Sequence, residues 1–359
     1  MAGPALMERR AFLKMAGAAW AMGLTERPAF ALSHADAVFA SAYRAPDGTY
    51  GIATIAENGA IIERSPLPAR AHGVSFCRAT GRIAAFARRP GTYALIRTRD
   101  GKARPVVVTA AEGRHFYGHG CFSADGRLLY TTENDFDSRI GMVGVYDTAD
   151  GARKGEFPSY GTGPHDMTLS ADGRVLIIAN GGIETHPDFG RTKLNLDHME
   201  PSLVLVDITT GGLIEKHTLP ATLRNLSTRH VDIDEDGGIW FACQYEGPRN
   251  DLPPLVGCFA RGEELSFVAL PDPVTGSLAN YVGAIAVNRR EGLVGVTSPK
   301  GGMSVLINAR TKRYLRSDPV ADAAGVAAAK AGFAISSYDG HFGKTPSPVA
   351  WDQHIVRLD

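Results

Sequence analysis

Four histidines recur at related places along this chain. His72, His119, His165 and His230 are separated by 47, 46 and 65 residues, and each opens a short apolar run that ends in a turn. Neutral imidazole is the usual nitrogen ligand for copper, zinc and iron. Close spacing in the sequence is not needed if a cyclic repeat carries the four to one place. They are the candidate metal ligands, with copper or iron as the ions that suit them. A second set of polar residues could hold a small ligand, or a harder ion such as calcium. Glu133, Asn134, Asn180, Gln244 and Glu246 stand at the ends of apolar runs, and His186, Arg191 and Lys193 lie in a polar insertion. His341, near the C-terminus, could join them. His115 and His119 have helical i, i+4 spacing, but Gly118 and the strand-like context argue against a helical metal pair.

The elements that must position these residues are read from self-similarity. His119-Gly-Cys-Phe-Ser-Ala-Asp-Gly-Arg-Leu-Leu-Tyr-Thr-Thr-Glu-Asn134 matches His165-Asp-Met-Thr-Leu-Ser-Ala-Asp-Gly-Arg-Val-Leu-Ile-Ile-Ala-Asn180. The unit is a histidine, an apolar strand, an Asp-Gly hairpin and a second apolar strand. Weaker copies begin at His72, His230, Gly283 and Gly325. A second hairpin follows in most units: Val143–Gly151 and Leu203–Gly211 are nearly the same phrase, and Val305–Arg310 echoes it. Each unit therefore supplies about four short strands, the makings of a propeller blade. Six units plus the strands of residues 36–70 predict an all-β, seven-bladed β-propeller, with six or eight blades as the alternatives. Strands from both ends of the chain should close the ring.

In such a ring the first strand of each blade faces the axis, so the four histidines should gather at one mouth of the central channel. The ends of the second strands return to that mouth, and the insertion at 183–201, with His186, Asp188, Arg191, Lys193 and His198, should cover it. A loop this long in a compact domain is usually functional. The registers differ, however. His119 stands four residues before the first turn residue, Ser123, and His165 five before Ser170. Side chains alternate faces along a strand, so strand geometry alone does not oblige all four to face the axis. A histidine there could instead bond a neighbouring blade's backbone.

Residues 1–31 read as an export signal, leaving 32–359 as one domain. Arg9 and Arg10 precede an apolar stretch from Met15 to Leu24, and Ala29-Phe-Ala31 offers a cleavage site. The charge balance of 38 Lys+Arg against 38 Asp+Glu gives no basic surplus for nucleic acid. No eighteen-residue apolar run marks a membrane span. Cys77, Cys121, Cys243 and Cys258 form no Cys-x-x-Cys pair. Buried, unpaired thiols are expected of them, with a disulfide as the alternative. No Gly-x-Ser-x-Gly elbow, phosphate loop or His-Glu-x-x-His motif occurs, so enzymatic activity stays open.

The repeat resembles the YVTN-type and lactonase-like propeller superfamily. More narrowly, the paired arginines, Gly163-Pro-His-Asp-Met167 and Thr185-His-Pro-Asp-Phe-Gly-Arg-Thr-Lys-Leu-Asn195 resemble DUF1513, a bacterial family of twin-arginine-exported propellers. That resemblance implies a periplasmic protein exported already folded, encoded near iron-uptake and di-haem oxidoreductase genes. Three functions are then open. One is binding of a metal ion or small ligand at the channel mouth, in iron or copper handling alongside other periplasmic metal-uptake proteins. Another is a lactonase- or dehydrogenase-like enzyme using Glu133, Asn134, Asn180 and Glu246 around a hard ion. The third is a non-catalytic interaction scaffold.

Overall fold

The two Ser-Ala-Asp-Gly-Arg stretches fold into copies of one turn. Ser123 Oγ donates to Asp125 Oδ1 at 2.7 Å and accepts from the Leu128 amide at 2.9 Å. Ser170 makes the same pair with Asp172 and Val175, at 2.6 and 2.9 Å. Gly126 and Gly173 follow with φ of 71° and 70°, a left-handed conformation that glycine adopts without a Cβ penalty. Each turn reverses the chain between two apolar strands and fixes their register.

A computed structural model describes residues 36–359. The export signal read at 1–31 lies outside the described residues. The strands assemble into seven four-stranded antiparallel sheets arranged as a ring. Blade 1 runs from its inner strand Ala71–Cys77 outward through Arg82–Ala87, Tyr93–Thr98 and Val106–Thr109. Blade 2 comprises Arg114–Phe122, Leu128–Asp135, Ile140–Asp147 and Arg153–Pro158. Blade 3 comprises Pro164–Leu169, Val175–Asn180, Ser202–Asp207 and Leu213–Thr218. Blade 4 comprises Leu226–Ile233, Ile239–Tyr245, Val256–Phe259 and Ser266–Phe267. Blade 5 begins with Ala284–Asn288 and ends with Arg313–Pro319. Blade 6 begins with Ala323–Ala328 and thins to two-residue outer strands, His341–Phe342 and Thr345–Pro346. Blade 7 takes its inner strand, Ala350–Arg357, from the C-terminus and its outer three, Phe39–Arg44, Tyr50–Ile55 and Ile61–Leu67, from the beginning of the described chain. This is the expected seven-bladed ring, closed by strands from both ends.

The core is distributed between neighbouring sheets. Alanines and β-branched residues pack there with large rings such as Phe86, Trp240 and Phe241, which come from the second strands of their blades. The closing seam is the most aromatic. Trp351 packs edge-on against Phe342 at 5.6 Å and Tyr43 at 6.5 Å between centroids, and Phe342 meets Phe39 at 5.5 Å. The Trp351 indole N–H donates to Ser347 Oγ at 3.1 Å. The four cysteines are unpaired, three of them buried and Cys121 half-buried. Among the described residues, no helix is long and apolar enough to cross a membrane.

The seam yields a stability prediction. Trp351→Ala empties a fully buried site between blades 6 and 7, and such truncations cost about 3–5 kcal/mol. Urea unfolding should show that loss, and a loss below about 1 kcal/mol would mean that the seam is held elsewhere.

Candidate metal centre

Five of the seven inner strands carry a histidine near the mouth, and each departs from regular pairing there. The register shifts between Ala71 and Val74 at His72, and between Phe116 and Gly120 at His119. It shifts between Pro164 and Asp166 at His165, and between Thr228 and His230 at His230. In blade 7 the strand bulges opposite Ala42, between Trp351 and Ile355, and the bulge contains His354. A bulge adds a residue and re-aims a side chain. The differing offsets between histidine and turn are absorbed in this way, and all four predicted histidines face the axis, with His354 as a fifth. Blades 5 and 6 bring glycine instead, Gly283 and Gly325. A Cβ on Gly325 would lie 2.8 Å from Ile355 Cγ1, inside contact distance.

The imidazoles touch one another. His72, His119, His165 and His230 form a chain with successive ring centroids 4.9, 5.0 and 4.9 Å apart. His354 lies 4.7 Å from His72 and 4.6 Å from both His119 and His230. Two sets of three, His72/His119/His165 and His119/His230/His354, each offer ligand atoms within 4.8 Å of one another. All five side chains are largely withdrawn from water. Burial is the main cause that holds His72, His165 and His354 well below the ordinary imidazole pKa; next come His119 beside His72 and His354, and Arg229 beside His165. Burial also lowers His230, to about 4, against the opposing pull of Asp166.

Carboxylates hold the outer faces of three rings. Asp166 stands 3.3 Å from Nδ1 of both His119 and His230. Burial alone would raise its pKa, but the two imidazoles outweigh this and hold it below the usual carboxylate range. Asp352 stands 3.4 Å from His72 Nδ1 and takes Arg70 Nε at 2.5 Å. A carboxylate on Nδ1 fixes the tautomer with its lone pair on Nε2, facing inward; metal-bound histidines are commonly oriented this way. His165 differs. Its Nδ1 is 3.2 Å from Arg229 Nη1, and a guanidinium can only donate, so the neutral ring carries its proton on Nε2. Nε2 of His119 and of His354 are buried with no hydrogen-bond partner.

The ring separates two spaces. On the turn side a wide channel of about 830 Å³ has His119, Asp166 and His354 at its inner end. On the side of the 183–201 insertion a small cavity of about 40 Å³ is bounded by His72, His165, Arg88, Arg89, Tyr117, Arg191, Arg229, Gln244, Tyr281 and Gln353.

The other predicted ligand residues do not converge. Glu133 is fully buried inside blade 2, where it pairs with Arg153 at 3.0 Å and accepts from Thr131 and Tyr146 at 2.7 and 2.8 Å. Asn180 bonds Ser159 at 2.8 Å and ties strand ends together. Asn134 reaches the Thr185 carbonyl at 3.5 Å. Lys193 pairs with Glu246, whose other oxygen is 3.7 Å from Arg229. Of this set, Arg191 and Gln244 border the small cavity, and Gln244 accepts from Arg229 at 2.7 Å. His186 caps a short 3₁₀ turn, packs on Phe136 at 5.3 Å and lines a separate small pocket with Arg89 and Tyr117. His341 is half-exposed on an outer strand of blade 6, 3.0 Å from Asp339. His354, Asp166, Asp352, Arg229 and Arg89 are the site residues that the sequence reading passed over.

The profile of a family described as a protein of unknown function, DUF1513, matches residues 65–358. Among curated proteins, no sequence is detectably similar. Solved structures match as folds. Hydrazine synthase of Kuenenia stuttgartiensis has a TM-score of 0.60 at 13% identity, over 83% of this chain and 92% of the other. The Cps50 (Swd1) β-propeller domain of Myceliophteria thermophila gives 0.56 at 11% identity, over 83% and 92%. At these identities the likeness is one of architecture.

The placement of Glu133 can be checked directly. Arg153→Ala leaves a buried carboxylate unpaired, which typically costs about 3–5 kcal/mol. Chemical denaturation should register it, and an unchanged midpoint would contradict a structural role for the pair.

Proposed function

The chain belongs to the DUF1513 family, and we propose that it holds a first-row transition-metal ion, copper or iron, in the histidine ring. The observation that carries this reading is the pair of buried, unpartnered Nε2 atoms on His119 and His354, set among rings whose Nδ1 atoms are held by carboxylates. A buried polar atom without a partner is costly, and a metal ion would satisfy both at once. Two nitrogens on one ion stand at most about 4 Å apart, because metal–nitrogen bonds are about 2.0–2.1 Å. The present separations, up to 4.8 Å within each set, need only a small contraction. His119, His230 and His354 form the primary set, with His72 as the fourth ligand. His165, with its Nε2 protonated by the Arg229 contact, stands outside the ligand set. An all-nitrogen set suits copper, iron or zinc and not calcium, which takes six to eight oxygens. The wide channel supplies a route for an ion or a small molecule to reach the ring.

The protein acts in this reading as a periplasmic metal-handling propeller. The basic-apolar-small pattern of residues 8–31 supports export by the twin-arginine route, which carries folded clients. On the strength of its strand–turn repeat we also group it with the YVTN- and lactonase-like propellers. The carboxylate–amide rim of a hard-ion enzyme finds less support, because Glu133 and Asn180 are engaged inside their blades.

Elemental analysis of the protein purified from the periplasm tests the site. We expect about one copper or iron per chain, lost in His119→Ala/His230→Ala and retained in His165→Ala, with the fold intact in both. Full metal content in the double variant would overturn the ligand assignment. Reloading the stripped protein at about 100 times Kd should stabilise it by about 2.7 kcal/mol. Replacing Arg9 and Arg10 with lysine should leave the precursor in the cytoplasm, and normal periplasmic accumulation of that variant would overturn the export reading.

A further inference from the structure

The small cavity between the histidine ring and the 183–201 insertion is lined by four arginines, three of them without an ion-pair partner among the described residues. Arg88, Arg89, Arg191 and Arg229 all border it. Among the described residues, no carboxylate lies within ion-pair distance of Arg88, Arg89 or Arg191. Arg229 has only Glu246, at 3.7 Å, and that carboxylate is already paired with Lys193. Arg229 is 5% exposed, and its Nε is buried with no hydrogen-bond partner although neighbouring donors are satisfied by His165 and Gln244. Arg89 lies over the ring of Tyr117 at 5.8 Å. Burial first, and the charge of Arg229 second, push the Arg89 guanidinium down to about 9. Burial, then Arg191, lowers Arg88; burial, then Arg229, lowers Arg191. A set of like charges drawn out of water is costly unless a counter-charge joins it.

We propose that this cavity is a binding site for one small oxyanion, a carboxylate or phosphate group, held by the forked N–H donors of Arg88, Arg89, Arg191 and Arg229. Guanidinium forks match the two-oxygen edge of such anions, and charge-assisted bonds of this kind are the strong ones. The Tyr281 hydroxyl, which accepts from Gln353 Nε2, keeps its own proton to donate. The volume of about 40 Å³ is several times what one water needs, roughly 10–15 Å³, so it suits a group of a few heavy atoms and not a sugar or nucleotide. Arg191 comes from the insertion, so the insertion closes the site and contributes to it. His72 and His165 form the cavity's wall toward the ring, and His165 hydrogen-bonds Arg229, so the arginine donors are in place without a metal ion.

Titration calorimetry on the full chain, both as purified and after chelation, tests this at low ionic strength with inorganic phosphate and with acetate as separate probes. We expect one equivalent of at least one probe to bind in both preparations; the preferred probe identifies the anion as tetrahedral or planar. Arg89→Gln and Arg191→Gln should each weaken binding by about tenfold or more, the loss of one charge-assisted contact. Arg191→Gln alters an insertion residue, so its folded state serves as the control. No binding of either probe at millimolar concentration, or undiminished affinity in both variants, would overturn the proposal. Binding confined to the metal-containing preparation would overturn it too, by making the anion a metal ligand. Because the chelated protein is one arm, a failed metal site and a failed anion site give different results.

Discussion

The pairing of Ala350–Arg357 with Phe39–Arg44 is the constraint on which the axis depends. A propeller with an unclosed ring would expose two strand edges. Here the closure also delivers chemistry, because the closing strand carries both Asp352 and His354. Trp351, one residue before Asp352, anchors that strand in the seam between blades 6 and 7. The same eight residues therefore join the ends of the domain, orient His72 through Asp352, and supply one of the two imidazoles that line the wide channel.

The electrostatics of the ring are layered. The insertion side holds a crowd of guanidinium groups, the middle holds the imidazoles, and Asp166 and Asp352 sit at the ring's outer edge. The overall charge balance of 38 against 38 conceals this separation. His165 marks the boundary, since it accepts from the arginine layer where His72, His119 and His230 donate to carboxylates. For four of the five rings the tautomer follows from the partner on the outside, and the tautomer decides which of them present a lone pair to the centre.

Much of this fold was legible in the sequence. The Asp-Gly turns set strand boundaries locally, and a local signal repeated round a ring determines the architecture. The four strand-start histidines were legible for the same reason. His354 was not singled out, because no hairpin of the Ser-Ala-Asp-Gly-Arg kind follows it to mark its strand as an inner one; its partner strand lies at the other end of the chain. His341 was chosen in its place, but blade 6 puts it on a two-residue outer strand. Glu133 was misread for a different reason. Thr132 bonds the His119 carbonyl and Asn134 reaches Thr185, so alternation turns Glu133 to the opposite face, toward Arg153. The bulges that aim five imidazoles inward depend on pairing between strands, and no single strand's pattern announces them. Arg89 and Arg229 looked like ordinary charged residues, since burial of a charge is decided by distant neighbours.

The five imidazoles come from five consecutive blades, with the two glycine-bearing blades completing the circle. Their mutual spacing is thus set by the circumference of the ring and only secondarily by side-chain conformation. Losing a blade would drive the rings into one another, and gaining one would spread them beyond the reach of a single ion. The number of blades works as a gauge for the centre. Sequence drift on the outer strands is tolerable, as the thin blade 6 illustrates, whereas duplication or deletion of a whole repeat is the one kind of change that this axis has no means of accommodating.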